Sequence, residues 1–118
     1  PRGLTSDGTY LYMLGATNNA VFKYTTAGVY TSISFSVAAQ TTTPKGIACD
    51  GASFWITEAV SNPVDNVINY NAAGAFVAEY LIGTTIGSPM GVGFDGTFIY
   101  ILGFRFRRIN RFTNLHKD

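Results

Sequence analysis

A segment of fifteen residues occurs three times in this chain of 118 residues. The copies read PRGLTSDGTYLYMLG, PKGIACDGASFWITE and PMGVGFDGTFIYILG, and they begin at Pro1, Pro44 and Pro89, 43 and 45 residues apart. A repeat of this period indicates that each copy starts one structural unit. Because a single unit cannot bury its own apolar surface, neighbouring units are expected to stack on one another.

Each unit has the pattern of four short strands. In the first unit, the first three strands are predicted at Gly3–Ser6, a segment containing Leu11–Met13, and Ala20–Tyr24. Their counterparts in the second unit are Gly46–Cys49, Phe54–Ile56 and Asn66–Tyr70. Those in the third unit are Gly91–Phe94, Ile99–Ile101 and Arg108–Phe112. The fourth strand is predicted at Val29–Val37 and Ala75–Ile82, and the third unit stops near its third strand. In Val29–Val37 the apolar Ile33, Phe35 and Val37 alternate with serines, which indicates a half-exposed outer strand.

Three Asp-Gly pairs join the first and second strands: Asp7-Gly8, Asp50-Gly51 and Asp95-Gly96. Asp-Gly is a strong signal for a hairpin turn because glycine readily adopts a positive φ. We therefore interpret these six residues as structural turns. A glycine also recurs on each first strand, at 3, 46 and 91, where a missing side chain would let neighbouring units approach closely.

Four antiparallel strands repeated every 40 to 50 residues or so are typical of β-propeller blades. The predicted fold class is therefore all-β, a partial propeller of about three blades forming one domain over residues 1–118. Blade 1 spans about 1–43, blade 2 about 44–88 and an incomplete blade 3 about 89–118.

The Pro-x-Gly-aliphatic strand, the Asp-Gly turn and the aromatic-aliphatic strand that follows it resemble the blades of NHL-type repeat proteins and their secreted and viral relatives. The resemblance covers nearly the whole chain. It implies a propeller, but it does not imply one activity, because propellers include binding modules, hydrolases, lyases and structural proteins.

A propeller usually closes with four to eight blades, so three blades predict further partners. Because the chain begins with Pro inside the repeated motif, we expect it to be part of a longer polypeptide. The alternatives are that two copies of the chain join into a six-bladed ring, or that the chain stacks on other subunits of a large assembly. The expected partners are thus further blades or further copies, with a protein or glycan ligand as an additional possibility.

Composition limits the remaining functional classes. The net charge is +1 and only 13% of residues are charged, so we expect no nucleic-acid partner. The apolar runs are short, and no membrane insertion is expected. The single Cys49 excludes an intrachain disulfide and is interpreted as a small buried side chain. Low charge with abundant Thr, Ser, Asn and Gly suggests an extracellular or virion-surface protein.

Residues unique to one unit are the better candidates for ligand or partner contacts. Glu58 replaces the glycine found at positions 15 and 103, and it opens a loop that carries Asn62 and Asp65. Such oxygen ligands resemble the cation ligands of gluconolactonase-like propeller hydrolases. Matching acids are lacking at Gly15 and Gly103, so a solvated loop without a metal is the preferred interpretation.

Two further features are candidates for contacts. Arg105 and Arg107 alternate with Phe104 and Phe106, an arrangement that binds phosphate or single-stranded nucleic acid in some proteins but more often forms a blade surface or a subunit contact. Trp55 recurs in register with Tyr12 and Tyr100, which favours packing between blades, although an aromatic ring also stacks on sugars.

No catalytic residue, metal site or cofactor is predicted, because no nucleophile triad, phosphate loop or zinc spacing occurs in the sequence. The sequence thus favours a non-enzymatic propeller module with a structural or adhesive role. The alternatives are part of a gluconolactonase-like hydrolase or a lyase, and a glycan-binding lectin.

Overall fold

The computed structural model describes residues 2–15, 17–58, 65–83, 89–103 and 108–112, and every regular element within them is a β-strand. These ranges contain no helix that could cross a lipid bilayer. The strands are β1 (Gly3–Ser6), β2 (Tyr10–Gly15), β3 (Ala20–Thr25), β4 (Tyr30–Ser36), β5 (Pro44–Cys49), β6 (Ser53–Glu58), β7 (Asp65–Asn71), β8 (Phe76–Gly83), β9 (Pro89–Phe94), β10 (Ile99–Gly103) and β11 (Arg108–Phe112). The prediction of an all-β fold is confirmed.

The strands form three antiparallel sheets in which strands consecutive in sequence are neighbours. Sheet I has the order β1-β2-β3-β4, sheet II has β5-β6-β7-β8 and sheet III has β9-β10-β11. Each sheet begins with one copy of the repeated segment, and the hairpin registers correspond: Thr5 pairs with Tyr12, Ala48 with Trp55 and Gly93 with Tyr100. The repeat in the sequence is therefore a repeat of hairpins.

Each sheet has two faces. We call the face that is directed toward the next sheet in chain order the forward face, and the opposite one the backward face. The forward face carries Tyr12 and Leu14 in sheet I, Trp55 and Thr57 in sheet II, and Tyr100 and Leu102 in sheet III. The backward face carries Leu11 and Met13 in sheet I, Phe54 and Ile56 in sheet II, and Ile99 and Ile101 in sheet III. This division follows from the alternation of side chains along a strand.

The forward face of each sheet packs on the backward face of the next. Tyr12 and Leu14 share a buried cluster with Phe54 and Ile56, and the Tyr12 and Phe54 rings meet edge to face at 4.7 Å. Trp55 likewise shares a cluster with Ile99 and Ile101. Sheet II is thus covered on both faces, which explains why Phe54, Trp55 and Ile56, at three successive positions of its second strand, are all apolar and buried.

The first strands lie closest together, since β1 contacts β5 and β5 contacts β9. A Cβ atom placed on Gly46 would lie 2.7 Å from the Met90 carbonyl oxygen and 3.1 Å from the Gly91 Cα. On Gly3 it would lie 3.3 Å from a methyl group of Ile47. The expected close approach is present at these two glycines, whereas the nearest atoms to a Cβ on Gly91 belong to Leu102 of its own sheet.

The predicted burial of the fourth strand is only partly correct. Phe35 packs against the cluster between sheets I and II and Val37 is fully buried, but Ile33 is 55% exposed. Ile33 pairs with Lys23 and Phe35 with Val21, so the two side chains share a face as predicted, but the end of that face at Ile33 is not covered. Beyond Ile33 the register shifts between Lys23 and Tyr24 and Ser32 has φ +67°, which marks a bulge. A simple two-residue alternation cannot anticipate such a bulge.

Candidate functional site

The Asp50 carboxylate organises the turn between β5 and β6. Its Oδ1 atom accepts hydrogen bonds from the backbone N–H groups of Ala52 (2.9 Å) and Ser53 (2.7 Å). Its Oδ2 atom accepts one from the Ser53 hydroxyl and one from the Trp55 indole N–H, both at 2.9 Å. Gly51 adopts φ +92°, as a residue in this turn requires.

The same arrangement occurs in the other two sheets. Asp7 accepts a hydrogen bond from the Tyr12 hydroxyl at 2.7 Å, and Asp95 accepts one from the Tyr100 hydroxyl at 2.9 Å. Gly8 and Gly96 have φ values of +96° and +104°. Each Asp therefore fixes both a turn and the aromatic ring five residues later, so the recurring aspartate and the recurring aromatic residue form one structural device.

These hydrogen bonds keep the three carboxylates charged. Burial opposes ionisation of Asp7 and Asp50, but the hydrogen bonds to each outweigh it and lower the pKa of both groups below the ordinary value of 3.8. Backbone N–H groups of Phe98 and Thr97, with the Tyr100 hydroxyl, lower the pKa of Asp95. Burial and the bond to Asp7 raise the pKa of Tyr12 well above its usual range, so that ring stays a neutral donor.

Trp55 is a core residue and does not form a surface platform. It is 9% exposed, its ring stacks at 6.0 Å on Tyr80, and it meets the Phe112 ring at 5.6 Å. The packing interpretation made from the sequence therefore describes Trp55 better than sugar stacking does.

Glu58 occupies a different environment from the solvated loop expected for it. It is the last residue of β6 and is 6% exposed, and its Oε1 atom accepts a hydrogen bond from the Asn66 Nδ2 group at 2.7 Å. The reason is that pairing of β6 continues to its end, with Glu58 opposite both Pro44 and Asn66. Two buried oxygens accept no hydrogen bond from the described residues: Asn66 Oδ1 and Thr57 Oγ1.

The other predicted contact residues fall largely outside the described residues. Asn62, Arg105 and Arg107 lie in undescribed segments, and Asp65 begins β7 with a side chain that is not described. The predicted grouping of Glu58, Asn62 and Asp65 therefore lies largely outside the described residues. Across the ranges that are described, no three His, Cys, Asp or Glu side chains are grouped closely enough to hold a metal ion.

A cleft opens between sheets II and III at the end where the Asp-Gly turns lie. It has a volume of about 260 Å³, and its described lining residues are Asp50 and Trp55 from sheet II with Phe94, Thr97, Phe98, Ile99 and Phe112 from the sheet III side. Between sheets I and II, this end is joined by a hydrogen bond from the Cys49 N–H to the Thr5 hydroxyl at 3.0 Å. The residue of sheet II that corresponds to Thr5 is Ala48, which has no hydroxyl to form such a bond.

Two signals in the sequence could have indicated these features. The Asp-x4-aromatic spacing recurs in all three copies and marks the bond between turn and ring. Phe94 replaces the Cys49 of the preceding copy, and Phe98 replaces Ser53, so the third copy is richer in aromatic residues at the turn. The burial of the Glu58 and Asn66 pair had no sequence signal, because polar residues beside a loop are usually exposed.

The observed sheets and their packing define an all-β chain built from a repeated hairpin unit. Comparison with known proteins adds no closer relationship: no protein-family profile matches the chain, and no curated protein matches it significantly. The resemblance to NHL-type blades thus remains a prediction from the repeated motif.

Proposed function

We propose that the chain is a segment of a β-propeller that serves as a non-enzymatic structural or adhesive component of an extracellular or virion-surface assembly. Its first and last sheets would each pack on a further blade, supplied by the same polypeptide or by another copy of the chain. The single observation that carries the proposal concerns corresponding positions of the three sheets. Positions that are buried where two sheets meet hold exposed apolar residues on the outer faces of the two end sheets.

The forward face of sheet III gives the clearest comparison. Leu14 pairs with Val21 on the forward face of sheet I, and both are fully buried against sheet II. The corresponding pair in sheet III is Leu102 and Ile109, which are 45% and 72% exposed. Burial of each of these two aliphatic side chains against a further sheet would contribute about 1.5–3 kcal/mol of stabilising free energy.

The backward face of sheet I presents the complementary surface. Met13 pairs with both Leu4 and Phe22, and Leu4 is largely exposed. The corresponding residues of sheet II are Ile56, Ile47 and Ile68, all buried against sheet I. Phe22, Tyr24 and Tyr30 add a group of contacting aromatic rings to the same face. This surface has the chemistry of a sheet that receives another sheet.

The contacts among first strands support a circular arrangement. β5 lies against both β1 and β9, so the first strands of the three sheets are neighbours, as the inner strands of propeller blades would be. In a propeller the first strand of every blade lies beside the central axis. The glycines on these strands, Gly3 and Gly46, permit the approach that an inner row requires.

The proposed adhesive role and extracellular location rest on two points. One is the composition of the chain, and the other is that its recurring aspartates have structural roles. The three Asp residues are occupied by turns and aromatic partners, and Glu58 is buried. Low charge and abundant Thr, Ser, Asn and Gly suit an exposed extracellular surface. A hydrolase and a lectin remain alternatives that no specific contact among the described residues favours.

Native mass spectrometry of the 118-residue chain tests the proposal. We expect assemblies whose mass is a multiple of the 12.7 kDa chain, and we expect Ile109→Arg to reduce them to monomers by placing a charge in the forward face. Val77→Arg is the matched control, because Val77 is also exposed but lies on β8. A wild-type chain that stays monomeric at every concentration would contradict packing of the end sheets on further copies of the chain.

A further inference from the structure

We infer that Glu58 and Asn66 form a binding site for a calcium ion, to which Glu79 contributes a second negative charge. The site lies on the backward face of sheet II, at the end of β6 opposite the Asp-Gly turn. This inference does not depend on the proposed propeller function. It rests on the placement of the three side chains, on a buried oxygen that has no hydrogen-bond donor and on the local charge.

The strand register places the three side chains on one face of the sheet. Glu58 lies opposite Asn66 on the neighbouring strand β7. Glu79 of β8 pairs with Ile68, two residues from Asn66, so it lies diagonally across from Asn66. Ile68 belongs to the buried cluster between sheets I and II, so this is the face that packs on sheet I. Glu58 and Asn66 are 6% and 8% exposed, whereas Glu79 is exposed, so the site reaches solvent on the β8 side.

Asn66 has a buried oxygen without a donor. Its Nδ2 group donates to Glu58 Oε1 at 2.7 Å, and its Oδ1 atom accepts no hydrogen bond from the described residues. The opposite orientation of the amide would turn Oδ1 toward the carboxylate, where two acceptors repel each other. Because Nδ2 and Oδ1 are bonded to the same carbon atom, the unpartnered oxygen stays beside the Glu58 carboxylate. Buried polar atoms nearly always have a partner, and a cation would serve both groups.

The two carboxylates leave negative charge without a described counterion. The described partner of Glu58 is the neutral Asn66 amide. Burial and the charge of Glu58 raise the pKa of Glu79, and no cation among the described residues offsets that effect. Burial and the charges of both carboxylates also raise the pKa of Tyr70, which shows that the two groups act on the same region. Buried charges in folded proteins are paired or coordinate metals.

The donor atoms decide which cation fits. Carboxylate and amide oxygens are hard ligands, which suit Ca²⁺ and Mg²⁺ better than zinc or copper. Ca²⁺ accepts irregular sets of carboxylate, amide and water oxygens, whereas Mg²⁺ requires a near-ideal octahedron. The described residues hold no group of three acidic, His or Cys side chains, so waters would complete the coordination. We therefore expect a weak site with a Kd of about 0.1–1 mM.

Calorimetric titration of the whole chain with Ca²⁺ tests the inference. We expect saturable binding of Ca²⁺ and at least about tenfold weaker binding by Glu58→Gln, which keeps an acceptor for Asn66 but removes the charge. Glu79→Gln, at an exposed position, should weaken binding about threefold. Asn66→Asp exchanges the amide for a further carboxylate and should strengthen binding about tenfold, which the loss of a purely structural hydrogen bond would not do.

Thr57→Val is the matched control. It removes the other buried oxygen that lacks a described donor, but that oxygen is on the forward face, so the affinity for Ca²⁺ should not change. Circular dichroism shows whether each variant is folded. Absence of saturable binding by the wild type up to about 10 mM Ca²⁺, the result expected if a water molecule occupies the site, would overturn the inference. Wild-type affinity in folded Glu58→Gln, or no gain in folded Asn66→Asp, would also overturn it.

Discussion

Each Asp-Gly turn uses one carboxylate for two contacts, and this combination explains why the aspartate and the aromatic residue recur together. One oxygen satisfies two backbone N–H groups of the turn, while the other receives the hydroxyl or indole donor of a ring on the next strand. A buried tyrosine or tryptophan needs a partner for its polar atom. The turn supplies that partner locally, so the ring can pack between sheets without leaving an unsatisfied donor.

This arrangement predicts a loss of stability in acid. Because the pKa values of Asp7, Asp50 and Asp95 are lowered by folding, their contribution is complete above the ordinary value of 3.8 and is lost as the pH falls through the lower folded values. Urea unfolding measured between pH 7 and pH 3 should show this decline. Asp50→Asn should cost about 1–2 kcal/mol at pH 7 and should show a weaker pH dependence than wild type. An unchanged pH dependence in Asp50→Asn would contradict the assigned role.

Cys49 gives a second prediction about a single residue. The side chain is buried as the sequence led us to expect, and burial raises the pKa of its thiol despite a contact from the Gly51 N–H at 3.4 Å. A buried neutral thiol reacts slowly with aromatic disulfide reagents. Labelling of the native chain should therefore be slow and should accelerate with urea along the unfolding transition. Labelling of native Cys49 as fast as that of the unfolded chain would contradict its burial in the cluster between sheets I and II.

At the scale of strands, the hydrophobic pattern predicted the elements well because each unit repeats the same signals. β1 and β11 begin and end at the predicted residues, while β5 and β9 begin two residues early, at Pro44 and Pro89. The early starts reflect bulges: pairing continues past Gly46 and Gly91 with one residue skipped, Lys45 in β5 and Met90 in β9. Bulges depend on contacts between strands, so a single sequence gives little indication of them.

Two glycines on first strands provide a matched test of how closely sheets II and III pack. Gly46→Ala would place a Cβ atom 2.7 Å from the Met90 carbonyl oxygen, whereas a Cβ on Gly93 meets no atom within 4 Å. We expect Gly46→Ala to lower the free energy of unfolding by about 1–3 kcal/mol. Gly93→Ala should change it by less than about 0.5 kcal/mol. Equal effects in urea denaturation would contradict the packing of β5 against β9.

At the scale of the whole molecule, the order of packing follows from the repeat. The sequence predicted that units stack, since Phe54, Trp55 and Ile56 are too apolar for a strand with a solvated face. It did not reveal which face meets which, because forward and backward faces are both apolar. It also could not reveal the cleft, which lies at the second junction, where Ala48 stands at the position of Thr5 and Phe94 at the position of Cys49.

The central claim is that the forward face of each sheet packs on the backward face of the next, and that the two end faces can do the same. Leu4→Arg blocks the backward face of sheet I, and Ile109→Arg blocks the forward face of sheet III, both at exposed positions. Each variant keeps one intact face, and the intact faces of the two variants are complementary.

The most direct measurement is the native mass of these two variants, apart and mixed in equal amounts. We predict monomers for each variant alone and, for the mixture, a species of twice the 12.7 kDa chain mass that contains one copy of each. A mixture that remains monomeric, or a single variant that assembles as the wild type does, would contradict the claim.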